Sequence, residues 1–150
     1  MKGQAAYEFL ATYVWALLLI LATLGALLYL GITQPERFVP NTCDVGLEFA
    51  CEDFQIVSGT PGSFDAVIRN NLGFSADTQV FAESPRTKEQ IPCGAIITMH
   101  SGEKLEFSCA FTTTDFILDQ REEIRLQVIY TKTGGTRKHT IVGSAKGVTQ

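Results

Sequence analysis

From Phe9 to Ile32 the chain carries no charged side chain. About twenty consecutive apolar residues suffice for a helix to cross the ~30 Å hydrocarbon core of a bilayer. The stretch therefore predicts a membrane-spanning helix. About thirteen of its residues are Leu, Ile, Val or Phe, which favours insertion by roughly 4 to 8 kcal/mol as an upper bound. A helix apolar on every side has no place at the surface of a small domain and must be surrounded by lipid or by other helices. With this segment set apart, residues 4–33 form the expected helix, 34–42 a stalk containing Pro35 and Pro40, and 43–150 a single head domain.

The front of the helix departs from an ordinary secretory leader. A signal peptide has a basic start, a short apolar core and a small-residue cleavage site behind it. Here the basic part is Lys2 alone, the apolar run is too long, and the small residue, Gly3, precedes it. Glu8 stands at the mouth of the apolar run, where a carboxylate is costly and calls for a partner. Cleavage after Gly3 would provide one, the free amine of Gln4. Within the helix, Ala22, Gly25 and Ala26 offer small faces for close helix packing, with Ala22 and Ala26 at small-xxx-small spacing.

Lys2-Gly3 followed by Gln4-Ala5-Ala6-Tyr7-Glu8-Phe9-Leu10 resembles the class III signal peptide of archaeal type IV pilins, with Ala6 where that pattern has Ser. The resemblance implies a leader, residues 1–3, removed by a prepilin peptidase. It also implies a precursor held in the cytoplasmic membrane with its N-terminus inside and its head outside. An assembly ATPase and membrane platform would then add the chain to a cell-surface filament, a helical homopolymer used for adhesion. In that setting Glu8 pairs with the Gln4 amine of a neighbouring subunit. Two other expectations stand beside it: a single-pass membrane-anchored Ig-like binding module that does not polymerise, and an archaellum-like subunit.

The four cysteines, Cys43, Cys51, Cys93 and Cys109, all follow the apolar run, which fits an oxidising exterior. Four cysteines allow three pairings. Cys43–Cys51 and Cys93–Cys109 are favoured, because each pair is close in sequence and flanks strand-like residues. No C-x-x-C occurs, so the spacing disfavours zinc. The rest of the head reads as short strands. Alternation marks Phe54/Ile56, Phe64/Ala66/Ile68, Leu105/Phe107/Cys109/Phe111 and, most strictly, Ile124/Leu126/Val128/Tyr130. Thr133-Gly134-Gly135-Thr136 makes a hairpin turn, with His139/Ile141/Gly143/Ala145 as the returning strand. The expected fold is α+β: a long N-terminal helix followed by an all-β, Ig-like antiparallel sandwich.

Motifs for chemistry are lacking. His100 and His139 stand far apart, and neither G-x-S-x-G nor a phosphate-binding loop occurs. The reading is therefore no enzyme, no cofactor, no metal and no nucleic acid. Charge is unevenly spread: five basic residues against thirteen acidic over 36–120, and six basic against Glu122 and Glu123 over 121–150. A solvated surface with complementary sides is the simplest account, with contacts between subunits or an anionic surface as the alternatives.

Overall fold

The computed structural model describes residues 4–29 and 39–150, with side chains in the helix described from Tyr13 onward. The chain divides into two compact units, Met1–Val39 and Pro40–Gln150. In the first, α1 runs Gln4–Tyr29. Good helix formers and the absence of internal Pro account for its length. Its large apolar side chains, among them Trp15, Leu19 and Leu28, are exposed.

The expectation of a membrane-spanning helix over 4–33 is corrected here. The helix is described from Gln4 to Tyr29, and among the described residues no helix is long and apolar enough to cross a membrane. Everything that rested on that span is set aside with it. This covers the archaeal type IV pilin resemblance, the pilus-subunit and adhesion reading, the single-pass anchored alternative, and the placement in the cytoplasmic membrane or a surface filament.

The second unit holds nine strands: β1 Thr42–Asp44, β2 Phe49–Val57, β3 Ser63–Asn70, β4 Ala76–Glu83, β5 Gln90–Pro92, β6 Ile97–Met99, β7 Lys104–Ala110, β8 Arg121–Lys132 and β9 Lys138–Val148. They form two antiparallel sheets. The larger has the order β1-β9-β8-β4-β5, with β6 also paired to β4; the smaller has β2-β3-β7. Alternation makes β3, β4, β7 and β8 two-faced. In β8 the buried residues are Ile124, Leu126, Val128 and Tyr130; in β3 they are Phe64, Ala66, Ile68 and Asn70. Both sets enter one core, with Phe49, Ile56, Phe107 and Met99.

This order also corrects the Ig-like expectation. In Ig domains the second and third strands lie in different sheets. Here β2 and β3 are a hairpin within one sheet, and β9 lies between β1 and β8. Alternation tells which face of a strand is buried but not which strand lies beside it. What stands is a β-rich domain of two sheets.

Two local devices shape the domain. In β2, Cys51 pairs with Ile68 but Asp53 with Val67, so Glu52 is an extra residue in a β-bulge. Phe49 and Cys51 before it, and Phe54 and Ile56 after it, thereby all keep to the inner phase. Asn70, fully buried, donates from Nδ2 to the carbonyls of Phe74 and Met99 at 2.9 and 3.0 Å, and its Oδ1 accepts from the Leu72 N–H. Its polar atoms are thus satisfied while it ties the 71–75 loop and the end of β6 to β3.

Candidate interaction surfaces

The two sheets are joined at both lateral borders. Cys43 of edge strand β1 is bonded to Cys51 of edge strand β2. Cys93, just after β5, is bonded to Cys109 of β7, at the opposite border. Each disulfide therefore crosses from the larger sheet to the smaller. At the first border Gly143 is required by close approach: a Cβ there would lie 2.2 Å from the Asp44 carbonyl oxygen and 2.7 Å from the Val45 Cα.

The second border has a further bond that sequence reasoning missed. Glu89, just before β5, faces Thr112-Thr113-Thr114, just after β7. Its carboxylate accepts from the Thr112 N–H at 2.6 Å and from the hydroxyls of Thr112, Thr113 and Thr114 at 2.5, 2.8 and 2.6 Å. The Thr113 N–H adds a longer bond at 3.1 Å. Desolvation works against the anion, but the hydrogen bonds, led by those from Thr112 and Thr114, outweigh it and hold Glu89 well below the usual carboxylate range. The one available signal, an acid and a threonine run lying just outside two cysteines, has no periodicity to expose it.

Chemistry of the catalytic kind is not assembled. Among the described residues no group of three or more His, Cys, Asp or Glu could hold a metal ion. His100 Nδ1 shares a 3.0 Å hydrogen bond with the Ser75 hydroxyl, and exposed His139 stacks on Tyr130. Gly3 lies outside the described residues, and of Gln4 and Glu8 only the helical backbone is described, so the expected cleavage and assembly positions fall outside the described side chains. Ala22, Gly25 and Ala26 lie on the exposed helix, and a Cβ at Gly25 would meet nothing within 4 Å.

What the β unit offers is surface, and its charges are unevenly paired. Arg69 and Lys104 both reach Glu52, Arg86 reaches Glu122, Arg125 reaches Glu83 and Lys146 reaches Glu123. The Glu52 carboxyl is held below its ordinary value, first by the hydrogen bond from Lys104 and then by the charges of Lys104 and Arg69. The β8–β9 hairpin differs. Residues 132–140 are all exposed there. Gly134 adopts a φ of 80°, which suits glycine, and the Gly135 N–H donates to the Lys132 carbonyl at 2.6 Å to close the turn. Lys132 sits 5.5 Å from the Phe74 ring centre. Among the described residues no ion pair involves Lys132, Arg137 or Lys138.

The opposite case is the outer face of the smaller sheet. Asp53, Val67 and Glu106 lie in one cross-strand row, and Gln55, Asp65 and Ser108 in the next. Asp53, Asp65 and Glu106 line a shallow depression of about 110 Å³ floored by Val67, and no ion pair among the described residues involves them. No protein-family model matches the chain, and a search of the curated proteins finds no match.

Proposed function

We propose that this chain is a non-catalytic interaction module of an oxidising compartment, and that its β unit binds a negatively charged macromolecular surface through the β8–β9 hairpin. The observation that carries the reading is the crowding of Lys132, Arg137 and Lys138 onto one exposed hairpin without a carboxylate partner among the described residues, while five other cations are ion-paired. Exposed cations steer oppositely charged partners and fix their register more than they add raw affinity. Two disulfides suit a chain that works outside reducing compartments.

The test places a photo-reactive phenylalanine analogue at Thr136, the exposed hairpin tip, in the producing cell. Irradiation is expected to yield an adduct of defined mass. K132E/R137E/K138E in the same chain should abolish the adduct while leaving the melting temperature unchanged. An adduct that survives the triple reversal overturns the reading.

A further inference from the structure

We infer that the surface received by the β8–β9 hairpin is the acidic outer face of the smaller sheet on a second copy of this chain. This rests on the hairpin reading above and names its partner. The argument begins with the acidic face. Asp53 and Glu106 flank Val67 across three strands, with Asp65 in the neighbouring row. Asp53 and Glu106 each face Val67, and Asp65 faces Gln55 and Ser108, so none of the three has a basic neighbour in its own row. The nearest cations in the same sheet, Arg69 and Lys104, are already committed to Glu52.

A depression with carboxylates around it and an aliphatic floor suits a lysine, whose methylene stem covers apolar surface while its ammonium meets the acids. Arg137 and Lys138 supply such side chains at adjacent positions on an exposed turn. They cannot reach the acidic face of their own chain. The hairpin extends the larger sheet, and the acids point outward from the smaller one, on the far side of the shared core. Complementarity is therefore satisfied only between copies. Because the two patches differ, the contact is heterologous, each copy giving its hairpin to one neighbour and its acidic face to another.

Zero-length carbodiimide cross-linking tests this directly, since it joins an ammonium to a carboxylate only where they touch. The full chain, kept dispersed in a nonionic detergent because of its apolar helix, is prepared in isotopically light and heavy forms and mixed. Mass spectrometry is expected to find light–heavy links from Lys138 or Lys132 to Asp53, Asp65 or Glu106, fading as salt is raised. R137E/K138E and D65K/E106K should each lower the yield of intermolecular links about tenfold, equivalent to ~1.4 kcal/mol. Mixing the two variants should restore heterotypic links, which simple misfolding of either could not do. Absence of light–heavy links, or links indifferent to both reversals, overturns the inference. If the Thr136 adduct of the preceding section still depends on the hairpin charges but contains no second copy, the partner assignment alone has failed. If no charge-dependent adduct forms, the hairpin reading itself has failed.

Discussion

The two lateral borders of the β unit are closed by the same kind of bond in different surroundings. At the border of β1 and β2, Cys43 and Cys51 are half-buried, and the edge strand they hold is three residues long. At the border of β5 and β7, Cys109 is fully buried and Cys93 nearly so. There the disulfide is seconded by Glu89 in its threonine cradle. The first border depends on backbone approach, through Gly143; the second depends on side-chain bonds. Short edge strands limit unwanted pairing but hold little structure of their own, and the two borders solve that problem by different means.

The comparison breaks most sharply at Gly143. Gly143→Val forces a side chain into the β1 backbone and should cost about 3 kcal/mol or more, with loss of β1 protection from hydrogen exchange; an unchanged melting temperature would refute the close approach. Next come the disulfides. Replacing Cys93 and Cys109 together by Ala should cost about 3 kcal/mol from loop closure, with an added cavity term from buried Cys109. The same replacement at Cys43 and Cys51 should cost ~2.5 kcal/mol with little cavity term. Denaturant midpoints of the two double variants, measured side by side, give the order. Equal losses would mean that burial makes no difference between the borders.

Glu89→Gln removes charge-assisted hydrogen bonds and should cost about 2 kcal/mol. Because folding lowers the pKa of Glu89, its contribution is complete above the ordinary carboxylate value near 4.5 and is lost as pH falls below it. The wild-type chain should therefore lose stability below that pH more steeply than the variant, which urea melts across pH 3 to 6 can read. Smallest of all, K132E/R137E/K138E should shift stability by no more than about 0.5 kcal/mol, since the hairpin charges form no ion pair with an acid among the described residues.

Some of this was legible beforehand, and the reasons are local. β3 and β8 alternate without a fault, so Phe64/Ala66/Ile68 and Ile124/Leu126/Val128/Tyr130 name their own buried faces. The Thr133–Thr136 turn follows from its glycines. In β2 the apolar spacing runs two, three, two, and only the bulge at Glu52 reconciles it with a strand. β1 and β5 could not be read, since three residues show no period, and β5 ends in a proline. Topology was the larger loss. The pairing of β1 with β9 joins Thr42 to Lys146, and nothing in either segment points to the other.

The candidate surfaces divide in the same way. The cationic excess of residues 121–150 is visible in the sequence, but three of its six charges turn out to be engaged: Arg125 with Glu83, Lys146 with Glu123, and Arg121 with the Pro40 carbonyl. Only folding leaves Lys132, Arg137 and Lys138 as the remainder. The acidic row across β2, β3 and β7 comes from segments 53, 65 and 106 and exists only once the register is set.

The position of Cys43 has a mechanical side. Tension applied at Pro40 enters the β unit through β1, and three residues later it meets a covalent bond to β2. Backbone hydrogen bonds to β9 would otherwise be opened one after another, as in unzipping. With Cys43 bonded to Cys51, the load passes into both sheets before Asp44 is reached. The Val148 N–H lies 3.3 Å from Asn41 Oδ1, so the C-terminal end of β9 is fastened beside the loaded point. A domain built this way should stay folded under a sustained pull and give way abruptly once that single bond is reduced.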